Sequence, residues 1–278
     1  MKYLLFTIII LFNINISFIN CQHNRDTISL TLIETYIDFK SVKSKYLGNI
    51  RTNKQPQHYN SKDSNLKNVP EHCTENLNVM IQAPNEEYSL VYYEGEVPSK
   101  YILFIDQDGS CFNFYNIGID PILSFSESGN YLVVYSLYQS VFYIFNNIGQ
   151  VIYVDSCQNI FKNEILYHIS IDNSGRYLLL NTAYKIYLYD LSNNNTIWTK
   201  KINSLLIEKT IFDQENNLIF IKSLFSTKQK LQDKYSFEII SFEKGKELFN
   251  KNNISEMFII NRNIILKSEK SYYEYKIH

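Results

Sequence analysis

Four places in the sequence combine residue types suited to chemistry. The densest carboxylate cluster is Glu86, Glu87, Glu94 and Glu96, and two acidic side chains held at a fixed separation serve as general acid and base. Asp106-Gln107-Asp108-Gly109-Ser110 alternates carboxylates ahead of a glycine, as the opening of a calcium loop does. Ser64-Asn65-Leu66-Lys67 fits the S-x-x-K pattern of acylating serine enzymes. His72-Cys73 is the one adjacent pair with two metal-ligating side chains; the other histidines, His23, His58, His168 and His278, are scattered.

Each place also has a plain structural reading, and that reading is the expectation here. The acidic cluster reads as solvated loop charge. The Asp106 stretch lacks a distal acidic ligand, and Asp108-Gly109 between two apolar runs suits a tight hairpin turn, because glycine accepts positive φ without steric cost. Ser64 and Lys67 stand in a polar stretch without the motifs that accompany S-x-x-K in enzymes. G-x-S-x-G, H-E-x-x-H, a Gly-rich phosphate loop and C-x-x-C are all missing from the sequence. No residue therefore takes a catalytic, cofactor-binding or metal-binding assignment. The aromatic run Tyr138, Phe142, Tyr143 and Phe145 offers a stacking platform for sugars or bases, but packing inside a sheet structure is the simpler role. With Trp198 as the sole tryptophan, a dedicated carbohydrate platform is disfavoured.

The first residues carry one basic side chain, Lys2, then an apolar run from Tyr3 to Phe12 and a more polar stretch ending at Cys21. This is the layout of an export signal, and a run of about ten apolar residues is half what a membrane-spanning helix needs. Phe18-Ile19-Asn20-Cys21 resembles a bacterial lipobox, although Phe and Asn replace the usual Leu and small residue. Cys21 is accordingly the expected lipid-attachment residue, the alternative being a secretory signal cleaved nearby. In a eukaryotic secretory setting, Asn194-Asn195-Thr196 and Asn253-Ile254-Ser255 would be glycosylation sequons. Cys73, Cys111 and Cys157 remain, at irregular spacings from which no disulfide framework can be read.

The 278 residues carry a formal net charge of -1, so no polyanionic partner is implied. With 23 Tyr and 18 Phe against 8 Gly and 5 Pro, the composition suits strands. A pattern returns every 40 to 50 residues or so: apolar strand, small polar turn, apolar strand. Its clearest copies, ILSFSESGNYLVVYSL at 122–137 and HISIDNSGRYLLLN at 168–181, place Gly129 and Gly175 about 46 residues apart. The copies start near Asn78, His168 and Lys209 and end in an incomplete fifth, where SYYEYKI at 271–277 lacks a following strand. In the fourth copy a polar insertion occupies 223–234. Ahead of them, 55–76 reads as loop or linker, and 27–34 fits both a strand and one face of a helix.

The spacing predicts an all-β chain: a β-propeller of about five blades, each a four-stranded antiparallel sheet packed on both faces against its neighbours. The organisation expected is a signal peptide at 1–20, an N-terminal segment and linker at 21–76, and propeller repeats at 77–278. Residues 27–34 are the candidate to complete the fifth blade. SIDNSGRYLLLN and IYLYDL in the third copy, with FSESGNYLVVYS in the second, resemble the WD40 and related TolB-type or quinoprotein-like propellers. The Gly-His dipeptide, the hairpin Asp of the family's hydrogen-bond network and the Trp-Asp dipeptide are missing, so the resemblance is to a divergent propeller. It implies a binding scaffold and transfers no functional residue. The functional expectation is a non-catalytic protein-binding propeller of the cell envelope, with no cofactor and with membrane contact only through lipid on Cys21. The alternatives are a propeller hydrolase or lyase whose residues come from several blades, and an immunity protein against a secreted toxin.

Overall fold

The computed structural model describes residues 30–36, 57–58, 66–73, 77–92, 101–118, 121–137, 139–156, 160, 164–183, 185–202, 206–225, 234–260, 263–268 and 271–277. Two strands, β1 (Leu30–Tyr36) and β2 (Gln57–His58), precede the repeats. The first repeat is β3 (Val79–Gln82), β4 (Tyr88–Tyr92), β5 (Tyr101–Asp106) and β6 (Cys111–Asn116). The second is β7 (Ile122–Phe125), β8 (Tyr131–Ser136), β9 (Val141–Asn146) and β10 (Val151–Ser156). The third is β11 (Leu166–Ile171), β12 (Tyr177–Thr182), β13 (Lys185–Asp190) and β14 (Asn195–Lys201). The fourth is β15 (Leu206–Asp213), β16 (Leu218–Phe225), β17 (Lys234–Ser241) and β18 (Glu247–Asn252), and the last is β19 (Glu256–Ile260), β20 (Asn263–Ser268) and β21 (Ser271–Ile277).

Each of the first four repeats forms one antiparallel sheet in chain order, with β2 added beside β3, and the fifth sheet runs β19-β20-β21-β1. The architecture is the five-bladed propeller that the spacing predicts. Of the stretch that fits either period in sequence, the described residues 30–34 are strand: β1 pairs with β21 from Leu30 opposite Ile277 to Tyr36 opposite Tyr272. Without it, β21 would present a row of unpaired backbone groups. The fourth copy differs from expectation. Its polar insertion begins inside the sheet, where Ser223 and Leu224 of β16 pair with Ser236 and Tyr235 of β17. The buried hydroxyls of Ser223 and Ser236 satisfy each other at 2.8 Å, which lets polar residues continue a covered strand.

The central strands are buried on both faces, which is why YLVVYS and YLLLNT read as continuous apolar runs. Leu132 and Val134 pack with Leu90, Ile102 and Phe104 of the first sheet, while Val133, Phe142 and Ile144 pack with Leu178 and Leu180 of the third. Leu179 and Leu188 then meet Ile219, Ile221 and Ile240, and Phe220 and Phe237 on the far side meet Ile264 and Leu266. The outward face of the first sheet is covered by Leu66, Val69, Cys73 and Leu77, which pack on Val91, Leu103 and Ile105. Lys67 clips this segment to β6, donating its N–H to the Gly109 carbonyl and accepting from the Cys111 N–H, each at 2.9 Å.

Every blade carries a β-bulge in its outermost strand. Phe112, Ile152, Ile197 and Leu248 are the extra residues in β6, β10, β14 and β18, and Ile33 stands at the same place in β1. A bulge re-aims the residue after it, and here that residue reaches toward the following blade. Asn113 donates to the Gly149 carbonyl at 2.7 Å, the Tyr153 hydroxyl to Asn194 Oδ1 at 2.6 Å, and the Trp198 indole N–H to the Phe242 carbonyl at 2.6 Å. Phe249 completes the series with its ring 5.9 Å from that of Tyr275.

Turns of both kinds at the blade junctions, between first and second strands and between third and fourth, have no room for a side chain. At Gly175, with φ of 72°, an added Cβ would lie 2.6 Å from the Tyr131 ring, and at Gly245 it would lie 2.6 Å from Trp198. Gly175→Ala should therefore lose about 1–3 kcal/mol from the left-handed backbone alone and more from the collision, read as a lower midpoint in chemical denaturation. Deleting 21–36 should expose the β21 edge, and the expected outcome is a lower melting temperature or aggregation. Unchanged cooperative unfolding of the truncated chain would show β1 to be dispensable.

Candidate functional site

The antiparallel order sends the turns between first and second strands, and between third and fourth, to one end of the blades. The second-to-third connections and the blade-to-blade connections lie at the other, here called the loop end. The turn end is closed by hydrogen bonds between neighbouring blades. Asn173 Oδ1 accepts the Ser128 N–H at 2.7 Å, Asp172 Oδ2 accepts from Gln214 Nε2 at 2.7 Å, and the Tyr88 hydroxyl donates to the Gly129 carbonyl at 3.2 Å. Asp172 is buried, and its Oδ1 takes the N–H groups of Arg176 and Tyr177 at 2.8 and 2.7 Å. Arg176 in turn grips Asp190 through Nε at 3.0 Å and Nη2 at 2.7 Å, and this pairing holds the Asp190 carboxyl well below the usual carboxylate range.

Along the innermost strands the chemistry changes from one end to the other. At the turn end a cleft of about 370 Å3 is lined by Glu127, Asn173, Asp213 and Glu215 with Ile211 and Ile259. Midway along the innermost strand of the fourth blade, Lys209 stands directly opposite Lys222 of β16. Lys222 is paired with Glu208 at 2.7 Å and lies over the Tyr235 ring at 4.2 Å. Lys209 has no such partner among the described residues. Burial lowers its pKa and Lys222 adds to that, with Glu127 and Glu208 opposing. On the neighbouring strand, His168 Nε2 lies 3.4 Å from Thr210 Oγ1, and burial pushes the imidazole down to about 4.

Among the described residues of the loop end, the Glu164–Lys185 ion pair at 2.9 Å stands beside four exposed apolar side chains. Leu137 follows β8, Ile165 precedes β11, Tyr167 is its second residue, and Leu206 opens β15; they are 40%, 61%, 45% and 38% exposed. These four side chains come from three consecutive blades. The remaining exposed apolar residues are Leu32, Phe112, Phe114, Ile152, Val154 and Ile197 on the outermost strands, three of them at bulge positions, and Ile148 in the turn between β9 and β10.

Of the residues singled out in the sequence, Glu86 and Asp106 come together in a cleft of about 510 Å3 on the outward face of the first sheet. His168 belongs to the third blade, away from them. Asp106 serves its hairpin: Oδ1 accepts the N–H groups of Asp108 and Ser110 at 3.0 and 2.8 Å. Glu87 accepts from Asn85 at 2.9 Å, and among the described residues no group of three His, Cys, Asp or Glu is placed to hold a metal ion. Phe142, Tyr143 and Phe145 are buried between blades, and Trp198 is committed to its hydrogen bond. Asn194 accepts hydroxyls from both Tyr153 and Tyr189, so its amide belongs to the blade junction. Cys73 and Cys111 sit in one apolar cluster, where burial raises both thiol pKa values. Cys21, Ser64, Glu94, Glu96, Tyr138, Cys157, His23 and His278 lie outside the described residues, as does the side chain of His72. Sequence reasoning passed over Ile165, Tyr167, Leu206 and Lys209. The available signal was a lysine inside the apolar stretch LIEKTIF and large apolar residues at strand starts.

No protein-family model matches the chain, and no curated protein does. Among solved structures, it is similar to a chain in the crystal structure of the mitotic checkpoint complex. That match has 9% identity and a TM-score of 0.47, and covers 70% of this chain and 60% of that one, less than two thirds of its length. The propeller architecture rests on the five sheets themselves.

The His168 environment sets a pH dependence. In the unfolded chain the imidazole protonates near 6.5, whereas in the fold it stays neutral to about 4. The unfolded state thus binds more protons in that window, and this contribution to stability is full above pH 6.5 and falls as the pH drops toward 4. His168→Gln should flatten the loss of melting temperature between pH 7 and pH 5. Asp190, whose ordinary pKa is 3.8 and is lowered further, acts below that window. Equal slopes for variant and parent would contradict the assignment.

Proposed function

We propose that this chain is a non-catalytic protein-binding propeller of the cell envelope, exported by its N-terminal segment, held there by lipid on Cys21, and engaging a protein partner through the loop end of its second, third and fourth blades. The observation that carries the reading is a group of four exposed apolar residues at the loop ends of three consecutive blades. Leu137, Ile165, Tyr167 and Leu206 gather where blades present their loops, whereas the turns at the opposite end are hydrogen-bonded to each other. Exposed apolar groups grouped on one face mark a surface that gains free energy by being covered. Aromatic residues are favoured anchors in such interfaces, and Tyr167 is placed as one. A rigid scaffold limits the entropy lost on association, because the loops are positioned before the partner arrives.

The test is affinity capture of tagged full-length protein from detergent-solubilised native cells, with mass spectrometry of both the bait N-terminus and the co-purifying proteins. A stoichiometric partner and a lipidated Cys21 are expected. Tyr167→Asp and Ile165→Asp should abolish recovery of that partner at unchanged melting temperature. Recovery of the bait alone under mild crosslinking would overturn the binding role, and an unlipidated N-terminus would overturn the anchor.

A further inference from the structure

We infer that the outer rim of the first and second blades is a lipid-facing surface, with Phe112, Phe114, Ile148, Ile152 and Val154 entering the interface of a membrane. The inference rests on the lipid tether of the reading above and adds a second membrane contact, made by the folded domain itself. These side chains lie on the outermost strands β6 and β10 or in the turn before β10, and each is between 39% and 53% exposed. The two rims meet where Asn113, between Phe112 and Phe114, donates to the carbonyl of Gly149, next to Ile148, at 2.7 Å. The rings are held in place by the sheet: Phe112 lies 6.0 Å from Phe104, and Phe114 lies 6.2 Å from Tyr101. Their outer faces remain in water, and covering them is favourable.

Charge and the position of the tether name the occupant. The outer hairpin of the second blade, 141–156, has Asp155 as its one charged residue, and β6 has none. In the fourth blade the matching strand β18 holds Glu247 and Lys251, and the turn before it holds Glu243, Lys244 and Lys246. An uncharged rim with exposed Phe and Ile can leave water for the boundary of headgroups and acyl chains at little cost, whereas a charged rim cannot. The tether enters at the perimeter as well. β1 is the outermost strand of its sheet, its Leu32 is 44% exposed, and Leu30 follows Cys21 by nine residues, a reach of at most about 30 Å. Occupation by a strand of another chain is opposed, because Phe112 and Ile152 are bulge residues that interrupt the ladder along each open edge. With this rim on lipid, the propeller axis lies along the membrane plane, and the loop end stays open to a protein partner.

The experiment reconstitutes the full-length protein from native cells into phosphatidylcholine vesicles containing a diazirine-bearing phosphatidylcholine, and maps the photolabelled peptides by mass spectrometry. Label is expected in 111–116 and 148–154 and not in 243–252 of the fourth blade. Ile148→Ser, Ile152→Ser and Val154→Ser combined should lose the label in 148–154 with cooperative unfolding retained, whereas Ile152→Leu with Val154→Leu should keep it. Uniform labelling of all blades, labelling confined to other segments, or a rim hidden in a dimer detected by sedimentation would each overturn the inference. The mass of the N-terminal peptide separates the two levels. A labelled rim with an unlipidated Cys21 overturns the tether and leaves the rim contact standing. A lipidated Cys21 with an unlabelled rim overturns the rim contact and leaves the tether.

Discussion

The junction between consecutive blades is the constraint from which the rest of the molecule follows. An apolar face buried against the next sheet supplies the bulk of the attraction, but apolar burial has no direction and does not set how two twisted sheets are turned relative to one another. Direction comes from the outer strands. In each of the first three blades the bulge swings one polar or amphipathic side chain, Asn113, Tyr153 or Trp198, onto the third-to-fourth strand turn of the following blade. The first-to-second strand turns are joined in the same sense through Ser128 with Asn173 and Asp172 with Gln214. Two rows of directed bonds at different radii fix the first four blades against one another, and a glycine such as Gly175 or Gly245 is required wherever the approach is closest.

That arrangement also determines where function is free to reside. The turn end is consumed by blade-to-blade bonding, and substitution there strains the scaffold. The loop end makes fewer such commitments among the described residues and leaves Leu137, Ile165, Tyr167 and Leu206 in solvent. The same division explains why Glu87, which looks like a candidate catalytic acid in the sequence, and Asp106, which looks like a calcium ligand, turn out to satisfy local donors. Carboxylates in tight turns are good acceptors for the N–H groups that the turn leaves unpaired.

Much of the blade plan was legible in the sequence because hairpins announce themselves locally. Gly129 and Gly175 occupy left-handed positions that a turn of this kind needs, and the strands flanking them are apolar on both faces because both faces are covered. The bulges were not legible. Ile152 in VIYV and Ile197 in TIWT add one residue to an alternating pattern without breaking it, and only the pairing partner reveals the shift. The β1 segment was ambiguous since its apolar residues fit two periods, and what decides between them is an edge some 240 residues away in sequence. Lys209 is the extreme case. Its environment is made by strands from different parts of the chain, so the apolar stretch LIEKTIF hints at its burial while the charges around it stay invisible in the local sequence.

The pairing of Leu30 with Ile277 has a kinetic meaning as well. A chain that emerges from its N-terminus must keep β1 unpaired while nearly every other strand forms, since β1 belongs to the sheet made last. Contacts this distant in sequence close a long loop and are slow to form. Four blades can therefore assemble hairpin by hairpin through local encounters, while the fifth waits for one long-range search. Until that search succeeds, β21 is an exposed template for any extended segment that meets it first. The lifetime of that open intermediate, more than the strength of the finished fold, governs how safely the protein reaches its native state in a crowded compartment.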